Sequence, residues 1–156
     1  MSEVRKDSVT VTAEMNLKFP AKDIWPLLCP VREYDWIEDW DCEMVKSDSG
    51  VNELGCIFHT GSHAQGDFDT WVANRFEPLE RLEFVRMNAL RVIRYEILLF
   101  SNEEGTRMMW IQHITPLSEE GQVFVKRWTE MYKQNMEQLE KMLDHYLSTG
   151  TMLRVS

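Results

Sequence analysis

Apolar and polar residues alternate strictly from Ser8 to Phe19. Val9, Val11, Ala13, Met15, Leu17 and Phe19 are separated by Thr10, Thr12, Glu14, Asn16 and Lys18. Period two over this length predicts a strand with one buried and one solvated face. Pro20 ends it, and Pro20-Ala21-Lys22-Asp23-Ile24-Trp25 predicts a short helix opened by proline. Pro26 and Pro30 keep that helix brief, and residues 31–38 predict a second one. Turn chemistry then divides the chain into strand segments at 42–47, 55–60, 67–77, 81–87, 91–101 and 106–115. The punctuation is Ser47-Asp48-Ser49-Gly50, the loop from Gly61 to Gly66, Pro78, Asn88-Ala89, Asn102-Glu103-Glu104-Gly105 and Pro116. Connections this short favour successive hairpins and an antiparallel meander. In segment 91–101 one face carries Ile93, Tyr95, Ile97 and Leu99. In segment 67–77, Phe68, Thr70, Val72 and Phe76 are expected to face the core, leaving Asp67, Asp69, Arg75 and Glu77 in solvent.

The last third changes period. Ser118 is an N-cap candidate followed by acidic Glu119 and Glu120, which suit the positive end of a helix dipole. Phe124, Trp128, Met131, Tyr132, Asn135, Met136, Leu139, Met142, Leu143 and Tyr146 then recur at spacings of three and four, and Gly150 supplies a stop. A helix of about 30 residues is roughly 45 Å long. The expected fold is therefore α+β: a curved antiparallel sheet of about six or seven strands wrapped around a long C-terminal helix, with two short helices after strand 1. A straight cylinder cannot fill a strongly twisted concave sheet, so this arrangement leaves space between the two layers.

The 156 residues are expected to form a single domain over 1–156 with an ordered core of about 8–148. The 17 basic and 26 acidic side chains give a net charge of −9, which sets nucleic acid and anionic lipid aside as partners. The apolar run Ile97-Leu98-Leu99-Phe100 is far shorter than the roughly 18 residues of a membrane span, and Met1–Asp7 contains no apolar signal core, so a cytoplasmic location is expected. Without a secretory signal, Cys29, Cys42 and Cys56 are expected to be reduced. Ten Met and six Trp are large numbers for this length, and suit either an ordinary core or a cavity for a bulky apolar ligand.

Several local patterns, in order, resemble the START-like (SRPBCC) helix-grip superfamily. Phe19–Leu28 (FPAKDIWPLL) resembles its strand end and short helix, and Pro30, Arg32, Trp36 and Trp40 resemble the segment that follows. Glu53–Thr60 (ELGCIFHT) resembles a glycine-led third strand, and Gly105–Leu117 (GTRMMWIQHITPL) the last strand before the terminal helix. The resemblance covers roughly residues 8–148 and implies a pocket more directly than a reaction. Relatives include polyketide cyclases and aromatases, lipid and steroid carriers, hormone receptors and co-chaperone activators, and such a fold hosts many functions.

Candidate chemistry is sparse. His59 and His113 could each serve as general base or polar anchor if inward, but the facing of strands 55–60 and 106–115 is ambiguous, with Gln112 the alternative to His113. Cys56, His59 and His63 have a zinc-like spacing. In a strand, however, Cys56 and His59 point to opposite faces, and an extended chain sets His59 and His63 roughly 13 Å apart. No metal and no cofactor are expected. The segment from Tyr34 to Glu43 would stack Trp36 and Trp40 if helical, backed by acids. Asn135 interrupts the apolar stripe of the terminal helix and requires a partner. No nucleophile triad or phosphate loop is visible.

These readings combine into an expected cavity for a hydrophobic or aromatic small molecule, lined by Trp36, Trp40, Thr70, Asn74, Tyr95, Trp110, Tyr132, Asn135 and Met136. A cyclase- or aromatase-like version would use His59, His113 or Tyr95 as acid or base without a covalent intermediate. The rival is a protein-interaction module with a filled groove. A homodimer is compatible with either reading.

Overall fold

The computed structural model describes residues 3–62 and 67–154, apart from the side chains of Ser62 and Asp67. β1 (Val9–Leu17) leads into a one-turn helix, α1 (Ala21–Ile24), and 3-10 turns at Trp25–Leu28 and Glu33–Asp35. Then come β2 (Cys42–Lys46), β3 (Ile57–Ser62), β4 (Asp67–Glu77), β5 (Arg81–Met87), β6 (Arg91–Asn102), β7 (Gly105–Pro116) and α2 (Glu119–Thr149). The strands form one seven-stranded sheet in the order β1-β7-β6-β5-β4-β3-β2. Every neighbouring pair is antiparallel, and β1 returns beside β7 with Val9 opposite Ile114 and Leu17 opposite Thr106. Seven antiparallel strands curving around one long helix make this a helix-grip α+β fold.

The concave face follows the two-residue period. On β6, Arg91, Ile93, Tyr95, Ile97 and Leu99 are buried, and on β7 the buried set is Thr106, Met108, Trp110, Gln112 and Ile114. Leu82 and Phe84 continue that surface on β5, and Phe58 and Thr60 on β3. Burying an aliphatic or aromatic side chain of this size stabilises the fold by about 1.5–3 kcal/mol. The small helical segment adds Ala21, Ile24, Leu27 and Leu28 to the same core.

β4 departs from the expected facing. Asp69, Trp71 and Ala73 point inward, so Thr70 and Asn74 do not, and Asp69 is buried rather than solvated. The cause is a bulge: Ala73 pairs with Phe84, but Arg75 pairs with Glu83, leaving Asn74 as the extra residue. An extra residue inverts the parity of everything beyond it. Phe76 therefore packs against the core although it shares sequence parity with outward-facing Thr70 and Val72. The Asp67 side chain lies outside the described residues. A second difference is the expected helix at 31–38, which shrinks to the 3-10 turn Glu33–Asp35.

α2 spans 31 residues, and both its caps are those read from the pattern. Ser118 Oγ accepts the Gly121 N–H at 3.0 Å, satisfying a donor that the helix leaves open. Gly150 adopts φ 73°, and its N–H donates to the Tyr146 carbonyl at 2.7 Å. Val125, Tyr132, Met136, Met142 and Leu143 are buried, whereas Met131 lies outside the buried stripe at 44% exposure. The start of α2 is tied to the β5–β6 turn, because Gly121 approaches it so closely that a Cβ would stand 2.1 Å from the Leu90 carbonyl oxygen.

Candidate ligand-binding site

Between α2 and the concave sheet lies a cavity of about 240 Å³. The floor is largely aromatic, with Phe58 from β3, Trp71 from β4, Phe84 from β5, Tyr95 from β6 and Trp110 from β7. These rings support one another: Phe58 stacks on Trp71 at 5.2 Å, Phe84 meets Trp71 edge-on at 5.6 Å, and Tyr95 meets Trp110 at 6.0 Å. Such contacts hold ring positions more firmly than area burial alone. From α2 come Trp128, Tyr132, Asn135, Met136 and Leu139. Pro30, Glu33, Trp36, Ile37 and Trp40 form the remaining wall.

Most polar handles in this lining are already engaged. Trp36 Nε1 donates to the Leu27 carbonyl and Trp40 Nε1 to the Pro30 carbonyl, each at 2.8 Å. These two bonds position both indoles although the segment is not the helix expected. Tyr132 donates its hydroxyl to the Trp110 carbonyl at 3.0 Å, and Trp71 Nε1 donates to Thr60 Oγ1 at 2.8 Å. Trp110 Nε1, by contrast, is buried without a hydrogen-bond partner among the described residues.

The charged part of the site is built around Asp69. Its carboxylate accepts from Arg86 Nε at 2.7 Å, Asn88 Nδ2 at 2.9 Å and Arg91 Nη2 at 2.8 Å. Burial pushes the Asp69 carboxyl upward, but the two guanidiniums outweigh it and hold the group below its ordinary range. Arg86 also lies 4.5 Å from the Trp71 ring and 5.2 Å from the Trp128 ring, so two indoles flank its guanidinium. Across the cavity, burial pushes Glu33 up to about 8, with Arg86 acting in the opposite direction. Burial likewise raises the Tyr95 and Tyr132 phenols well above their ordinary value. Both are therefore hydroxyl donors rather than bases near neutrality.

The residues expected from sequence separate into two groups. Trp36, Trp40, Tyr95, Trp110, Tyr132, Asn135 and Met136 line the cavity, whereas Thr70 and Asn74 lie on the other face of β4. His59 and His113 also require correction, because neither reaches the cavity. Packing of Phe58 on Trp71 turns His59 outward, where its ring meets Phe68 at 4.4 Å. Inward Trp110 and Gln112 turn His113 outward, where Nε2 pairs with Glu96 Oε2 at 2.7 Å and Nδ1 with Thr10 Oγ1 at 3.1 Å. Cys56, just before β3, is buried whereas His59 is only partly so, and His63 lies outside the described residues.

Sequence reasoning missed Arg86 and Glu33. Arg86 shares parity with Leu82 and Phe84, so its strand placed it inward despite its charge. Nothing local marks Glu33, whose burial depends on its turn folding over a distant sheet.

Comparison with known proteins agrees with the architecture. No family model matches the sequence, and no curated protein is significantly similar. DynU16, a protein in the dynemicin biosynthetic locus, superposes with TM-score 0.65 at 18% identity. The match covers 94% of this chain but 49% of DynU16, so the chain spans about half the length of that protein. SA2116 of Staphylococcus aureus, a protein of unknown function, gives TM-score 0.67 at 14% identity, covering 92% of this chain and 96% of its own. Ara h 8.0201 gives 0.61 at 13% identity, covering 91% and 99%. At these identities the shared property is the fold. Among the described residues, no helix is long and apolar enough to cross a membrane.

Proposed function

We propose that the chain binds a hydrophobic or aromatic small molecule between its sheet and terminal helix. The observation that carries this reading is the 240 Å³ cavity walled by indole, phenyl and phenol rings. Ligand sites are concave, mostly apolar and furnished with a few polar groups, and this lining has that composition. A groove filled by its own side chains, as in an interaction module, would leave no such volume. The resemblance of the sequence to helix-grip cyclases and aromatases makes a cyclase-like reaction the catalytic form of this reading. With His59 and His113 facing away, proton transfer in such a reaction would fall to Glu33 and Tyr95, the titratable groups that line the cavity beside Arg86 and Tyr132.

The test is a comparison of native and denaturing mass spectra of the protein purified from its own host. A reproducible extra mass that is lost on denaturation supports the reading and identifies the ligand class. Its absence, together with no protection of the cavity tryptophans from acrylamide quenching by host metabolite extract, counts against it.

A further inference from the structure

The polar groups around the cavity are unevenly matched, and the mismatch has a sign. Arg86 and Arg91 share Asp69, the only carboxylate within ion-pair distance of either guanidinium among the described residues. Two positive charges against one negative leave a local excess of one, inside a chain whose overall charge is −9. Arg91 is 1% exposed, and its Nε and Nη1 lack partners, so the single Asp69 carboxylate it shares with Arg86 is its only countercharge among the described residues. Arg86 lines the cavity itself, and Nε is the atom it gives to Asp69. Its two terminal nitrogens make no hydrogen bond within the described protein. The flanking Trp71 and Trp128 rings hold that guanidinium in place, so an incoming anion meets a donor fork that is already ordered. Trp110 contributes a further buried indole N–H without a partner.

We infer that the ligand is an aromatic carboxylic acid bound as its anion, with the carboxylate on Arg86 and the aryl group against the Trp71, Tyr95 and Trp110 rings. This deepens the proposed function and rests on it. The cavity of about 240 Å³ is on the scale of a two-ring aromatic acid. Glu33 is compatible with an anion nearby, because its burial favours the neutral carboxylic acid, which can donate a hydrogen bond instead of repelling.

The probes are 2-naphthoate and its neutral counterpart 2-naphthamide, titrated into the protein at pH 7 by calorimetry and by tryptophan fluorescence. The carboxylate is expected to bind at least about tenfold more tightly than the amide, the scale of a charge-assisted hydrogen-bonded pair. Arg86→Gln should erase that preference, read as the ratio of the two affinities within the variant. Arg86→Lys should keep part of the preference, since charge survives while the planar fork is lost. Equal affinity of the two probes for the wild-type protein overturns the inference, and needs no variant to fold. That outcome would leave the ligand-binding reading standing. Failure of both probes to bind at millimolar concentration also overturns the inference, while native mass spectrometry decides the broader reading independently.

Discussion

Trp128 on α2 donates its indole N–H to Gln112 Oε1 on β7 at 2.8 Å, a side-chain bond that joins helix to sheet at the cavity wall. Gln112 is 3% exposed, so water cannot readily replace a lost partner there. Gln112→Leu strands the Trp128 donor and should cost about 1–3 kcal/mol in urea unfolding. Trp128→Phe placed on that background should cost less than on the wild type, because the donor has already lost its acceptor. Double-mutant analysis should give a coupling of about 1 kcal/mol. Additive losses would mean that the bond contributes nothing beyond packing.

Helix docking depends on a second close approach. Gly121 stands where an added Cβ would lie 2.1 Å from the Leu90 carbonyl oxygen, and the Leu117 N–H donates to that same oxygen at 2.8 Å. The obstacle is backbone rather than a flexible side chain. Gly121→Ala should therefore destabilise by about 1–3 kcal/mol even though alanine is the better helix former. Gly150→Ala meets no steric neighbour but places alanine at φ 73°, and should lose about 1 kcal/mol. Thermal unfolding of both variants checks the ordering, and a stabilised Gly121→Ala would contradict the packing described.

Much of this architecture was legible because long segments keep one period. β1, β6 and α2 show their buried faces in the sequence, and Ser118 and Gly150 mark the helix ends. β4 was misread because the bulge at Asn74 inverts parity, and a single sequence carries no mark of a bulge that depends on pairing with β5. Parity without an anchor was also insufficient in β3 and β7. Phe58 and Trp110 face inward because they meet Trp71 and Tyr95, contacts between residues far apart in the chain. Charge misled the reading of β4, where Asp69 is buried because Arg86, Asn88 and Arg91 converge on it. The aromatic lining could be anticipated from residue type, but the charged cluster of Asp69, Arg86 and Arg91 could not.

The outward placement of both histidines makes a direct contrast with Asn135. His59→Gln and His113→Gln should leave retention or binding of a cavity ligand within about twofold, since neither side chain lines the cavity. Asn135 is exposed on α2 yet lines the cavity, so a larger side chain can obstruct the space without disturbing the core. Asn135→Trp should weaken ligand binding by about tenfold or more while its stability stays within about 0.5 kcal/mol of wild type. Loss of binding in a histidine variant with intact Tm would return that side chain to the site.

Glu33 gives the fold a pH dependence whose sign is set by its burial. Its carboxyl moves from an ordinary 4.5 up to about 8 in the folded chain, with Arg86 the charged group opposing the shift. The folded state then holds a proton that the unfolded state releases, and stability falls wherever that difference exists. The contribution is fully present below about 4.5 and is lost progressively as pH rises to about 8. Glu33→Gln keeps the shape and removes the titration. Its stability relative to wild type should therefore improve between pH 5 and 8.5 by on the order of 2 kcal/mol, less than the full shift implies because the half-buried carboxyl retains some contact with water. Tyr95 and Tyr132 stay neutral over this range, since burial raises both phenols. Chemical unfolding of the two proteins across that pH series is the measurement. Parallel curves would show that Glu33 ionises as a solvated carboxylate, and would remove the neutral acid from the cavity wall.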